Sequence, residues 1–386
     1  MTKLNTTSTI EISRSALEDN IRFIKSILTE NVRLSTVVKG NAYGHGIHHI
    51  IPLAEKAGVD HFSVFSADEA RLVKEACSPE SDIMIMGFIE DEDMEWVLEN
   101  KIEFFVFQTE HLKAFLQKAR ELGQKARVHL ELETGMNRTG FNRRQLRRII
   151  PLLKEYEENV ITRGVCTHYA GAESIANHVR VQKQITRFNQ GYKFLLQQGI
   201  LPEIRHTACS AAVVAYPKTQ MDMVRVGILT YGFWPSKETQ IHYIHKTKDK
   251  INPLRQIITW KSQIMSLKTV KEGEFVGYGT TYMALETKRI AIIPVGYSHG
   301  FSRSLSNQGR VLIHGQRVGA IGMVNMNMVA VDVTYLDKVK VGDEVVIIGQ
   351  QGDNYITVSS FGELSDQVNY ELLTRLPSMT KRIIKD

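Results

Sequence analysis

Cysteine is scarce in this chain of 386 residues: Cys77, Cys166 and Cys209 are an odd number at wide spacings. That usage excludes a disulfide framework and a zinc site built on cysteine pairs. Long apolar runs are missing as well, and none approaches the roughly 20 residues of a membrane span, so no transmembrane segment is expected. The stretch up to Glu18 lacks the charged-then-apolar layout of a secretory signal. A cytoplasmic protein is therefore expected, in which the glycosylation triplet Asn137-Arg138-Thr139 has no use. Nor does one sign of charge dominate. The net value is +6, and the short basic group Arg143, Arg144, Arg147 and Arg148 falls at helical spacing, as on a solvated face and not a nucleic-acid surface. Low-complexity sequence and short repeats are absent, and no metal site is expected.

What is present is an ordinary globular composition, 43% hydrophobic and 23% charged, in a chain longer than one core usually sustains. Two domains are expected. Ser15-Ala16-Leu17-Glu18 has the form of a capping box ahead of Leu17, Ile21, Ile24 and Leu28, which share one helix face. Short apolar or β-branched runs follow at 34–39, 62–66, 83–87, 104–107, 128–133, 161–168, 203–207 and 223–226, with amphipathic stretches such as 67–77 and 110–123 between them. Eight strands alternating with helices predict an α/β architecture, a closed (β/α)8 barrel. From about Thr247 the pattern changes to strands and turns with little helix, at 257–265, 289–295, 311–313, 328–333 and 344–348. The expected division is a barrel over 1–246 and a mainly β domain over 247–386.

A barrel of this kind carries its chemistry at the C-terminal ends of its strands. Lys39 closes the first of the eight runs and precedes the glycine-rich turn Gly40-Asn41-Ala42-Tyr43-Gly44-His45-Gly46. A lysine at the end of a buried strand is costly unless neutral or paired, and a covalent imine is one way to keep it there. Taken alone, it reads equally well as an exposed strand-end residue.

The ten residues Val37 to Gly46, VVKGNAYGHG, resemble the lysine signature of the alanine racemase family, with Gly40 where that family usually has alanine. The resemblance runs through separate motifs over nearly the whole chain. It implies a pyridoxal 5'-phosphate (PLP) enzyme that interconverts L- and D-amino acids, most of all alanine, with Lys39 holding the cofactor as a Schiff base. By the same resemblance Arg225, in Arg225-Val226-Gly227-Ile228, faces the pyridine nitrogen. A guanidinium can only donate, so it keeps that nitrogen unprotonated and weakens the electron sink. Ser210, the backbone of Gly227 and Ile228, and the phenols of Tyr43 and Tyr370 are implied donors to the phosphate, and His168 packs near the ring and bonds Arg225.

Racemisation needs an acid/base group on each face of the substrate. Lys39 is one. The resemblance makes Tyr278, in Phe275-Val276-Gly277-Tyr278-Gly279-Thr280, the other, contributed by the second subunit of a head-to-tail homodimer. A phenol titrates near 10 on its own, so positive charge relayed from Arg225 through His168 is expected to lower it. Arg138 is implied to bind the substrate carboxylate, Met326 to close that pocket, and Tyr297 and Arg303 to stand near the entrance. Where many family members carry a carbamylated lysine seven residues before this arginine, the chain has Glu131, expected to supply the orienting anion permanently. Asn325 and Asn327 replace a usual cysteine and aspartate, which opens the alternative of a different or broader amino-acid substrate. A non-catalytic PLP-binding barrel would lack the second domain, and a PLP barrel decarboxylase would pair the ring nitrogen with an acid.

Overall fold

The computed structural model describes residues 7–247, 250–365 and 368–386, which form two compact units. One comprises Ala16–Lys39 and Ile50–Gln256, the other residues 7–15, Gly40–His49 and Ile257–Asp386. After an opening strand β1 (Ser8–Ser13) come β2 (Arg33–Val37), β3 (His61–Val64), β4 (Asp82–Ile85), β5 (Glu103–Val106), β6 (Ala126–Glu131), β7 (Val160–Cys166), β8 (Ile204–His206) and β9 (Met223–Val226). Strands β2 to β9 form one sheet in the order β8-β7-β6-β5-β4-β3-β2-β9, and every pairing in it is parallel. Its ends meet: Asp222 N donates to Arg205 O at 3.2 Å, Arg225 N to Ala208 O at 3.0 Å, and Cys209 bridges Arg225. The expected barrel is therefore what the first unit builds.

Strands β3 and β5 have no exposed residue, as strands covered on both faces require. The crossover helices bury one stripe each. In Arg143–Glu155 the stripe is Leu146, Ile149, Ile150 and Leu153, while Arg143, Arg144, Arg147 and Arg148 are exposed, the solvated face expected of them. Asn142 caps that helix, its Oδ1 accepting from Arg144 N and Gln145 N at 3.0 Å each. The expected capping box at Ser15 does not form. That helix, Arg14–Ser26, starts two residues earlier and places Ser15 inside its first turn.

The second unit holds β10 (Ile258–Gln263), β11 (Ser266–Val270), β12 (Lys288–Ile293), β13 (Arg310–Ile313), β14 (Gln316–Gly319), β15 (Val329–Asp332), β16 (Glu344–Gln351), β17 (Asn354–Ile356) and β18 (Lys381–Lys385). Its larger sheet runs β14-β13-β16-β10-β1-β18, with β17 on β16; β11, β12 and β15 form a smaller one. Strand β1 thus departs from the expected 1–246 division. It alternates buried Ser8, Ile10 and Ile12 with half-buried residues and pairs with β10 and β18, neighbours far away in sequence. The run expected as one strand over 257–265 ends at Gln263, and two helices, Val358–Ser365 and Asn369–Thr374, stand where little helix was expected. Among the described residues no helix is long and apolar enough to cross a membrane, and no group of three or more His, Cys, Asp or Glu could hold a metal ion. The three cysteines are free.

Candidate active site

The C-terminal ends of the barrel strands gather three cations. Lys39 lies two residues beyond β2, Arg138 in the loop after β6, and Arg225 on β9. All three act on His168, two residues beyond β7. Burial, then the charges of Arg225, Arg138 and Lys39, push its proton affinity down to about 3, so it is a neutral imidazole. Lys39 is lowered as well, by desolvation and then by Arg138, with Glu69 opposing. The side chain still reaches solvent.

Glu131, the last residue of β6, is 5% exposed. Burial pushes its carboxyl above the usual carboxylate range, against the Thr139 hydroxyl and the charges of Arg138 and Arg225. Among the described residues it makes no ion pair with Arg138, so it acts on that arginine through its field and not through contact. Arg138 is exposed near the tip of a loop closed at its base, where Phe141 N donates to Glu131 O at 2.7 Å and Glu133 N to Phe141 O at 3.1 Å. The Glu133 carboxylate holds the turn by accepting from Gly135 N and Asn137 N. A side chain at Gly140 would put its Cβ 2.7 Å from Glu133 N at φ +109°, so only glycine closes this loop.

Arg225 is buried, and its guanidinium is fixed from one side. Nη1 donates to His206 Nδ1 and, at 2.7 Å, to His206 O; Nη2 donates to Thr167 O at 2.7 Å. The histidine bonded to Arg225 is therefore His206, not His168 as expected. His206 ends β8, the strand beside β9, and its ring meets the guanidinium sideways, whereas β7 lies one strand further and offers only a carbonyl. Ser210 is buried, and its Oγ accepts from Gly227 N at 3.1 Å, with Ile228 opening the turn that follows. Tyr231 of that turn donates to Val37 O at 2.9 Å, which ties it to the strand leading to Lys39.

Directly after Lys39 the chain enters a left-handed turn in the second unit, with φ of 63°, 54°, 54° and 50° at Gly40, Asn41, Ala42 and Tyr43. Three non-glycine residues in that region store strain, each on the order of 1–2 kcal/mol. The turn is held by Gly44 N to Gly40 O at 2.9 Å, Gly46 N to Asn41 O at 2.9 Å, and Ile47 N to Asn41 Oδ1 at 3.0 Å. Arg382, 8% exposed, clamps it by donating to Gly44 O from Nε at 3.1 Å and Nη2 at 2.7 Å. A Cβ at Gly44 would lie 1.9 Å from Leu373 O. The same unit brings Tyr43 and Tyr370 together, ring centres 5.9 Å apart.

Tyr278, Tyr297 and Met326 share one set of linked loops in the second unit, exposed by 75, 42 and 56%. Tyr297 N donates to Asn325 O at 3.0 Å, Ser298 N to Met326 O at 3.0 Å, and Gly322 N to Asn307 Oδ1 at 2.6 Å. Tyr278 sits between Gly277 and Gly279, both near φ +73°, which turn its ring outward. Asn327 Nδ2 donates to Ser298 Oγ at 2.9 Å, a bond an ionised aspartate could not donate. Asn325 Oδ1 is buried without a partner among the described residues, and Arg303 is exposed in the turn Arg303–Leu305.

Sequence reasoning missed His61, Glu103, His129, His206 and Thr139. The first four are buried polar residues inside the barrel, and the signal was there: β3 reads His61 then Ser63, and β6 reads Arg127, His129, Glu131, polar at every second residue.

A (β/α)8 barrel with a lysine and two arginines at its mouth, followed by a β domain, defines a class of cofactor-dependent enzymes. The alanine racemase N-terminal domain model matches residues 12–235 and the C-terminal domain model residues 257–384, and the chain belongs to the alanine racemase family. It is 34% identical over 384 residues to an alanine racemase of Leptospira interrogans, covering 98% of this chain and 96% of that one. The solved alanine racemase of Clostridium difficile 630 superposes with a TM-score of 0.90 at 30% identity, over 99% of this chain and 97% of that one. The alanine racemase of Bartonella henselae, solved with covalently bound pyridoxal phosphate, gives 0.84 at 27% identity over 99 and 100%.

Proposed function

We propose that the chain is a cytoplasmic PLP-dependent racemase of amino acids, most of all alanine, working as a head-to-tail homodimer. The observation that carries this reading is the convergence of Lys39, Arg138 and Arg225 on a neutral His168 at the barrel mouth. A net positive site of this kind fits a phosphorylated cofactor and a carboxylate substrate. Arg225 also fits: with His206 and Thr167 on one side, its Nε–H and one Nη2–H are uncommitted among the described residues, and they can face an acceptor nitrogen. Ser210 Oγ, the N–H groups of Gly227 and Ile228, and the Tyr43 and Tyr370 phenols would hold the phosphate.

When bound, PLP supplies an electron sink for the pair left at Cα as its proton departs. The chain does the rest. Lys39 Nζ, its proton affinity lowered, accepts the α-proton on one face, and Tyr278 Oη of a second copy returns one on the other. Arg138 pairs with the substrate carboxylate, with Met326 and Tyr297 closing around it, and Arg225 keeps a proton off the ring nitrogen. The product D-alanine suits a role in building a cell wall. Asn327 as a donor, where an acid is usual, favours a second reading, a broader amino-acid range.

The test is α-hydrogen exchange in heavy water with purified protein, added PLP and a panel of L-amino acids, paired with chiral analysis. Exchange with inversion for alanine is expected, and inversion across several side chains would establish the broader reading. No exchange with any amino acid would sink both.

Glu131→Gln is expected to raise the KM for alanine several-fold, because the field that orients Arg138 is lost. Its stability should move the other way. A carboxyl whose folded proton affinity is raised gives its full support only when protonated, and loses it as pH rises. The melting temperature of Glu131→Gln should therefore exceed the wild type at pH 8, and the gap should close toward pH 4. Unchanged KM with unchanged melting at both pH values would show that Glu131 neither orients Arg138 nor carries a cost of burial.

A further inference from the structure

The barrel interior carries a line of titratable groups that the chemistry above does not use. Glu103 opens β5 at the N-terminal end of the barrel, and it, His129 on β6 and His206 on β8 are wholly buried. Glu103 Oε1 accepts from Arg127 Nη2 and Arg163 Nε, at 2.8 Å each. Its Oε2 lies 2.8 Å from His129 Nε2 and 3.4 Å from His61 Nε2, whose other nitrogen meets Ser35 Oγ at 2.8 Å. His129 Nδ1 is 2.7 Å from His206 Nε2, and His206 Nδ1 receives Arg225. Gly164, on β7 between them, makes this possible: a Cβ there would stand 2.3 Å from His129 Nδ1 and 3.0 Å from His206 Nε2.

The protons on this line have only one consistent placement. A guanidinium always donates, so His206 Nδ1 must be bare and its single N–H must be on Nε2. That hydrogen goes to His129 Nδ1, which leaves the His129 hydrogen on Nε2, directed at the Glu103 carboxylate. Burial agrees, since it lowers the proton affinity of both rings and keeps them neutral. Burial opposes the charge on Glu103, but the hydrogen bonds from His129 and His61 outweigh it and hold the carboxyl below the usual range.

Arg225 has no ion-pair partner of its own among the described residues, and a buried charge left so is expensive. We propose that Glu103 is a positioning residue for Arg225, a carboxylate acceptor that, through two neutral histidines bonded in one direction, fixes the guanidinium at the barrel mouth. The inference rests on the role given to Arg225 above and adds the group that orients it.

Glu103→Gln reverses the line. Arg127 and Arg163 require an acceptor at the Oε1 position, so the amide oxygen stays there and the NH2 faces His129. His129 must then carry its hydrogen on Nδ1, His206 likewise, and a ring N–H confronts the Arg225 donor. The experiment is nitrogen-15 NMR of the imidazoles in the full-length chain, before and after loading with PLP. The wild type should show both rings as the Nε2–H form, and Glu103→Gln both as the Nδ1–H form. With PLP, kcat should fall on the order of 10- to 100-fold, as when a group that orients a ligand-contacting residue is removed. Gly164→Ala, which parts the two rings and leaves every charged group in place, should lower kcat likewise. A wild-type Nδ1–H form on either ring, or an unchanged His206 in Glu103→Gln, overturns the proposal. The tautomers are read without cofactor, so they decide the relay even where the PLP reading fails, and the wild type alone suffices if the variant does not fold.

Discussion

Lys39→Ala should abolish racemisation, by at least about 10⁴-fold, because in the proposed mechanism one residue is both the covalent anchor and one of the two acid/base groups. Its environment prepares it for both tasks: desolvation and Arg138 lower its affinity for a proton, which keeps more of the amine in the reactive neutral form. The side chain is open to solvent, and the strained turn that follows is held by Gly44, Asn41 and Arg382 without its help. The variant should therefore fold. Borohydride treatment of the wild type with PLP should add the reduced cofactor to the peptide carrying Lys39, and to no peptide of the variant. Retained racemisation in Lys39→Ala, or the label on another lysine, would reassign the anchor.

Tyr278→Phe should cost on the order of 10²–10⁴-fold in racemisation, the usual worth of a positioned acid/base group. The hydroxyl is lost from a ring already 75% exposed, so stability should stay within about 0.5 kcal/mol. The loss should also be one-sided. Lys39 still reaches its own face, so one enantiomer keeps exchanging its α-hydrogen with heavy water while the other stops. Equal loss for both enantiomers would mean that the ring positions substrate and transfers no proton.

The two variants together test the homodimer. If the tyrosine serves the partner's site, a heterodimer of Lys39→Ala and Tyr278→Phe chains has one site with both defects and one with neither. Coexpression in equal amounts should then recover about a quarter of wild-type activity, since half of the dimers are mixed and each has one intact site of two. No recovery would place both residues in the site of a single chain.

The sequence by itself determined the eightfold alternation of strands and helices, because short, mainly apolar runs such as Phe62–Val64 and period-3.6 stripes such as Leu146–Leu153 are written residue by residue into local segments. It showed equally the glycine-rich motif that follows Lys39 and the segment that carries Arg138, because both are short runs legible residue by residue. It showed the chain turning to strands near Thr247 for the same reason. What only the tertiary structure decided are the pairings between distant segments. Strand β1 joins β10 and β18 because edge hydrogen bonds have no local signature. Arg225 meets His206 and not His168 because barrel closure sets β8 beside β9. Glu131 finds Thr139 and not a contact with Arg138 because the loop closes on itself at Gly140. The line from Glu103 to Arg225 draws on strands β5, β6, β8 and β9 and on one glycine of β7, and strand register, a property of the closed sheet, brings those five residues together.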